Sequence, residues 1–431
     1  MARKMKDSGI EWIGEIPEGW EIRKIKNNFM IYAGATPKSE KAEYWDGSIP
    51  WITPADFKTT DKYVSYGRKS LTALGYDSCG TTLVPAGSII FSKRAPVGSV
   101  VIAKNTLCTN QGCLACIPND AVNSTYFYYC MSIFTEQFEL VSAGTTFKEI
   151  AASTFASFLL PCPPLSQQNE IVNFLDKESS RIDSMLSKTR SSIEEYKKLK
   201  QAVITQAVIK GVRGKREMKD SGVEWIGKIP TTYSICKLKY LLKNPLKYGA
   251  NESGIPYSDS LPRYIRITDI TPDGNLKYTG KLSLSEESAK DYILEDGDIL
   301  FARSGATVGK TFIYYQSYGR SAYAGYLIKA SLNNKVSPKF VYYYTCSSLY
   351  EIWKNSIFIQ STIQNIGADR YANLPVPVPK TLQEQEEIAD YLDAKCAEID
   401  KLIAKKEQLV KELECYKKSL IYEVVTGKRE V

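Results

Sequence analysis

The residue types that usually do chemistry are distributed here in a way that excludes more than it allows. The 431-residue chain contains no histidine. That removes His-based triads, His-dependent nucleases, HExxH proteases and His-bearing zinc fingers together. Cys113-x-x-Cys116 has a zinc-ligand spacing. The surrounding GCLACI reads as a strand, however, where positions three apart face opposite ways, and no second pair completes four ligands. Ser304-Gly-Ala-Thr-Val-Gly-Lys-Thr is one residue from a phosphate-binding P-loop, because Ser304 stands where the first glycine is needed. NPLKY (244–248) lacks the second proline of a methyl-transfer motif, and Pro272-Asp273 has no Glu-x-Lys after it at a nuclease spacing. Glu194-Glu195 reads as a solvated helix face. The expectation is no catalytic residue, no metal site and no directly bound cofactor.

What positions these residues is a duplicated chain. MKDSGIEWIGEIP (5–17) returns as MKDSGVEWIGKIP (218–230) at an offset of 213, with two substitutions. PAGSIIFSKRAPVG (85–98) returns as EDGDILFARSGATVG (295–309), and NEIVNFLDKESSRID (169–183) as EEIADYLDAKCAEID (386–400). Two copies with so long a period are a domain duplication rather than a solenoid. The SGATVGKT string also loses its Gly-Lys-Thr in the first copy, SKRAPVGS, which favours a scaffold turn.

Each copy opens with short strand-like runs such as SIIF, SVVIA, YIRIT and TFIYY. Helices are expected over 125–138 and, after Ser337-Pro338, over 339–353. Proline clusters PCPPL (161–165) and PVPVPK (375–380) then read as stiff exits. Beyond each exit lie roughly 45 residues almost free of Gly and Pro with heptad apolar spacing. One seam is Leu175, Ile182, Tyr196 and Val203, with Met185 and Leu199 three residues after a seam position. The other is Leu392, Ile399, Leu413 and Leu420, with Leu402, Leu409 and Tyr416, and the seams break at Thr189 and Lys406. Helices of about 65 to 70 Å result. Seams this long favour helix-to-helix pairing, antiparallel about a pseudo-twofold axis, with the globular units at opposite ends.

The fold class expected is therefore α+β: two homologous α/β domains separated by an antiparallel pair of long coiled-coil helices. The boundaries read as 1–164 and 213–378 for the domains, 165–212 and 379–431 for the helices. Lys plus Arg is 56 against 48 for Asp plus Glu, a net +8 that suits a polyanionic partner without proving one. Ten scattered cysteines, no apolar leader and no membrane-length apolar run suggest a soluble cytoplasmic protein with reduced thiols.

EWIGEIPEGWEIRKIK (11–26), IPWITPADF (49–57), RYIRITDI (263–270), ILFARSGATVGK (299–310), both proline exits and the closing YEVVTGKREV (422–431) together resemble the specificity subunit of type I DNA restriction-modification systems, over essentially the full length. The resemblance implies a noncatalytic subunit with two target recognition domains, each reading half of a split double-stranded DNA site, and helices that set the spacer. It also implies docking of two modification subunits, which bind S-adenosylmethionine and methylate adenine, and through them of restriction subunits that use ATP and Mg. Because the two units diverge outside shared motifs, the full site is expected to be asymmetric. Basic or small polar residues at the ends of strand-like runs are the expected DNA contacts. In the first unit they are Thr53, Lys93, Arg94, Gln111, Thr145, Thr146 and Lys148; in the second, Arg263, Arg266, Arg303, Ser304, Lys310, Tyr323, Ser361 and Thr362. Two rival readings are a stand-alone methyltransferase or nuclease with a diverged centre, and a coiled-coil assembly adaptor that reads no DNA.

Overall fold

The structure, a computed structural model, describes residues 3–57, 61–144, 148–271, 274–359 and 365–431. Its contacts divide into two compact units, residues 1–189 with 408–431 and residues 190–407. The divisions cut through the two long helices, α1 (Leu165–Lys210) and α2 (Leu382–Val425). Each unit therefore contains one globular domain and part of both helices.

In unit 1 a central sheet runs in the order 29–33, 113–118, 89–92, 100–103 and 63–64, antiparallel except for its last pair. Strand alternation supplies both faces. Ile89, Phe91, Leu114 and Cys116 join Phe127, Phe138 and Phe155 in one core, while Ile90, Val101, Cys113 and Ala115 form the other. Burial on both faces explains why SIIF and CLACI are apolar without interruption. It also puts Cys113 and Cys116 in different cores, so the two thiols do not converge on one ion. Burial pushes both thiols above the ordinary cysteine value.

Unit 2 repeats the plan with strands 247–248, 327–330, 299–302 and 311–313 in the same order, beside a second sheet ordered 255–256, 282–283, 263–265 and 321–323. Each helix expected late in a domain is two. Ser124–Ile133 is followed by Thr135–Leu140, and Pro338–Thr345 by Ser348–Ile359. The second break has a visible cause: the Ser347 hydroxyl turns back to the Tyr344 carbonyl, an alternative to continuing the backbone ladder.

The proline exits are strands of two-stranded ribbons. Leu159–Cys162 pairs with Glu21–Lys24, and Pro375–Pro379 with Tyr233–Lys237. In the second, proline occupies every other position, so the missing N–H groups share one outward edge while Val376 and Val378 keep the ladder. A buried glutamine then ties each long helix to its domain. Gln168 accepts from the Asn123 amide at 2.8 Å and donates to the Pro163 and Ala121 carbonyls at 2.9 and 3.3 Å. Gln385 accepts from the Ser337 amide at 2.8 Å and donates to Pro379 and Lys335 at 3.1 and 3.4 Å.

Within each unit the long helices run antiparallel. Unit 1 joins Asp183 to Lys417 at 2.6 Å and places Arg429 over the Phe174 ring. Unit 2 joins Lys200 to Asp400 at 2.6 Å, Arg213 to Glu387 at 2.7 Å, and Arg216 to Glu384. Asp183–Lys417 and Asp400–Lys200 are one ion pair written twice by the duplication. Leu175, Ile182, Leu392, Ile399 and Leu420 are buried in the seam, and Tyr196, Val203 and Leu413 are half-buried.

The companion row needs correction. Met185, Leu199, Leu402, Leu409 and Tyr416 are 37–49% exposed. The buried companions stand four residues after the seam positions: Ser179, Leu186, Ile193 and Ala207 in α1, and Cys396 and Val424 in α2, with Ile403 and Val410 half-buried. Apolar residues occur at both offsets in Met185-Leu186, Leu402-Ile403 and Leu409-Val410, so spacing alone left the flank open. Docking of Ile171, Val172 and Leu175 into the unit 1 core sets the rotation at the start of α1, and that rotation selects the second flank. At the seam breaks, Thr189 bonds back to the Met185 carbonyl and Lys406 lies over the Tyr196 ring.

Candidate nucleic-acid interface

The two units carry the same backbone construction in the loops that follow a strand. In unit 1 the strand Trp45–Ile52 ends at Thr53, whose amide and hydroxyl both donate to Asp56 at 2.9 and 2.7 Å. Burial works to raise the Asp56 pKa, but hydrogen bonds from Thr53 and Arg68 outweigh it and hold the carboxyl below its ordinary value. In unit 2 the strand Arg263–Ile265 ends at Arg266, whose amide and guanidinium grip Asp269 at 2.8, 2.9 and 2.7 Å. ITPADF and IRITDI thus build the same closed turn from different side chains.

The second shared part is a glycine pressed against the neighbouring strand. A Cβ on Gly34 would overlap the carbonyl oxygens of Thr109 and Asn110, and one on Gly249 those of Tyr323 and Ala324. No side chain fits either place. Ala35 and Ala250 follow, with amides donated to the Thr109 and Tyr323 carbonyls at 3.0 and 2.9 Å. The YAGA and KYGA strings carry this signal, which the ends of strand-like runs do not reveal.

Around these anchors the structure brings Thr53, Lys93, Arg94, Gln111 and Lys148 into one loop cluster. The Lys93 amide donates to Gly112, next to Gln111, and the Lys93 carbonyl accepts from Ile150. Glu149 binds Lys93 and Arg94 together, each at 2.9 Å. The Lys93 bond, then that of Arg94, holds the Glu149 carboxyl below its usual value. Thr36 donates its hydroxyl to the Gln111 side-chain oxygen, and Lys148 is exposed. Thr145 and Thr146 lie outside the described residues.

Unit 2 splits its expected contacts. Tyr323 is fully buried and directs its hydroxyl to the Lys247 carbonyl at 3.3 Å, so it has no surface to offer a base. Arg263 is 8% exposed and donates to the Lys277 carbonyl at 2.6 Å, which makes it a brace between loops. Both lie at the ends of strands, Arg263–Ile265 and Ser321–Tyr323, and both side chains are buried there. Arg303, Ser304 and Lys310 remain together on the loop after strand Ile299–Ala302. Ser304 opens the turn Gly305–Thr307, and Thr311–Ile313 continues as a strand. A phosphate cradle would open a helix there, so the P-loop likeness ends at the letters. Arg303 lies over the Tyr248 ring, 5.0 Å from its centroid. Ser361 and Thr362 lie outside the described residues, as does Pro272-Asp273.

Among the described residues no group of three or more His, Cys, Asp or Glu converges as metal ligands would, and no helix is long and apolar enough to cross a membrane. Exposed tyrosines at 248, 257, 278 and 326 accompany the basic loops of unit 2. Such a mixture of cations, small polar groups and aromatic faces suits nucleic-acid backbone and base edges.

Known proteins carry the same organisation. The sequence model of the type I restriction modification DNA specificity domain matches twice, over residues 17–195 and 256–412. The type I restriction enzyme MjaIX specificity subunit of Methanocaldococcus jannaschii is 30% identical over 302 residues, covering 69% of this chain and 68% of that one. The MjaVIII specificity subunit of the same organism is 22% identical over 437 residues, covering 96% and 94%. Among solved structures, a chain from work on complex assembly and conformational transition of the type I R-M system superposes with a TM-score of 0.76 at 15% identity, over 96% of this chain and 99% of that one. The HsdS subunit from Thermoanaerobacter tengcongensis gives 0.52 at 15% identity, over 96% and 98%. With a doubled domain match across most of the sequence and a similar relative covering two thirds of it, the chain belongs to the type I restriction-modification DNA specificity family.

Proposed function

We propose that this chain is the DNA-recognition subunit of a type I restriction-modification complex, with each loop cluster reading one half of a bipartite site. The observation that carries the reading is the doubled construction: one closed turn and one glycine approach in each unit, surrounded by different side chains. Equal scaffolds with unequal reading residues call for two half-sites of different sequence. The long helices, 46 and 44 residues, are assigned the role of spacer between the two half-sites.

The chain itself is assigned no catalytic centre and no cofactor; S-adenosylmethionine, ATP and Mg are assigned to partner subunits. The exposed apolar row, Met185, Leu409 and Tyr416 in unit 1 and Leu199 and Leu402 in unit 2, is assigned to docking of two modification subunits. Restriction subunits join through that complex, in the cytoplasm. Methylation sequencing of host DNA with and without this chain tests the reading. The expected result is one asymmetric split motif that disappears when the chain is removed. A single uninterrupted motif, or one unchanged by removal, would refute it.

A further inference from the structure

The basic residues of the loop clusters differ in what their charged groups already hold. Lys93 and Arg94 are clamped by Glu149, Arg266 by Asp269 and the Gly280 carbonyl, and Arg263 by the Lys277 carbonyl. The Arg303 guanidinium makes no hydrogen bond and no ion pair among the described residues, and its Nε is buried without a partner. It is nevertheless positioned. Its backbone amide donates to Tyr326 at 3.0 Å, and its carbonyl accepts from Ile366 at 2.8 Å. Its guanidinium rests on Tyr248, whose strand pairs with 327–330 and whose hydroxyl accepts from the Ala368 amide at 3.0 Å.

A planar fork whose terminal N–H groups have no partner among the described residues, lying over a ring whose centroid is 5.0 Å from its carbon, matches one base edge best: the O6 and N7 acceptors of guanine, which take two parallel donors in one plane. A phosphate accepts the same fork, but its tetrahedral oxygens can be met from several directions, so holding the plane adds selectivity only toward a planar base edge. Among the described residues unit 1 has no counterpart, since Ala33 occupies the place of Tyr248 in the matching strand and Glu149 binds the corresponding cations.

We propose that Arg303 reads a guanine in the half-site of unit 2, with Tyr248 as the positioning residue that holds its plane. This rests on the DNA-recognition reading above. The test uses the full chain co-expressed with its modification subunits in a host without other adenine methylation, read by single-molecule methylation sequencing. Arg303→Ala is expected to lower the preference for guanine at one position of one half-site by about ten- to a hundredfold, with the other half unchanged. Arg303→Lys, which keeps the charge but not the fork, should relax the same position. Tyr248→Ala should weaken that preference, and Tyr248→Phe should retain it.

An unchanged motif in either Arg303 variant overturns the proposal. So does a relaxed position that is not guanine, or a uniform fall at every site with no change of base preference, which marks a phosphate contact. If Arg303→Ala abolishes methylation altogether, Arg303→Lys decides by the same criteria. A wild-type chain that directs no sequence-dependent methylation would instead remove the DNA-recognition reading itself.

Discussion

Leu186 and Met185 are adjacent on α1, yet one is 6% exposed and the other 47%. Truncating each to alanine separates the two possible companion rows of the helix seam. Leucine and methionine have nearly the same helix propensity, so the intrinsic gain from alanine cancels between the variants. Leu186 lies in the core that holds Ile182, Leu420 and Val424, with Val410 and Leu413 packed against it. Core Leu→Ala changes cost about 2 to 5 kcal/mol including the cavity, and a two-helix seam can partly collapse, so about 2 to 3 kcal/mol is expected. Met185→Ala should cost about 0.5 kcal/mol or less, as at other surface positions. For a unit of about 200 residues, 1 kcal/mol moves the melting temperature by about 2 to 4 °C. Leu186→Ala should therefore melt about 5 to 10 °C lower in a thermal scan, and Met185→Ala within about 2 °C of the parent. Equal shifts, or a larger one for Met185, would refute the rotation assigned to α1. Modification-subunit binding should respond in the opposite order, with Met185→Ala the more damaging.

Gly34→Ala and Gly249→Ala each force a methyl group into backbone carbonyls, at a cost of about 2 to 3 kcal/mol; each should impair one half-site only, read by methylation sequencing, and impairment of both halves would refute the one-reader-per-unit assignment. The lowered Asp56 pKa means that its stabilising contribution is complete above the unfolded value of about 3.9 and is lost as pH falls through the lower folded value. Urea midpoints of the parent and Asp56→Asn should accordingly differ more at pH 6 than at pH 3, and an equal gap at both pH values would remove the carboxylate as the cause. Replacing residues 213–378 by the corresponding unit of a relative should change one half of the methylated motif, and a change in both halves would argue against modular reading.

The duplication, the proline exits and the long helices were legible in the residues because each rests on local chemistry: repeated strings, missing N–H groups and heptad spacing. The flank of the seam was not, since Met185-Leu186 and Leu409-Val410 offer an apolar residue on either side and only packing of the helix starts decides. The reading loops were half legible. Ends of strand-like runs located Lys93, Arg94 and Arg303 correctly in loops, but the same rule selected Tyr323, whose orientation depends on which sheet face closes over it. Glu149 and Tyr248, which hold the basic groups, lie 55 residues from Arg94 and on a separate strand from Arg303 respectively, separations that no local pattern records.

The glutamine mounts have one further consequence. On the domain side, Gln168 and Gln385 each hydrogen-bond to main-chain amides and carbonyls, groups that nearly every residue type provides. That part of the socket is indifferent to side-chain identity, and the rest of it is a second duplicated mount: Tyr129 and Lys62 hold Asp176, both at 2.6 Å, and Tyr343 and Lys339 hold Asp393 at 2.6 and 2.7 Å. A lineage can rewrite the loops of a reading head, or acquire another head by recombination, and still seat it, provided the incoming domain brings the tyrosine and lysine that the helix aspartate requires.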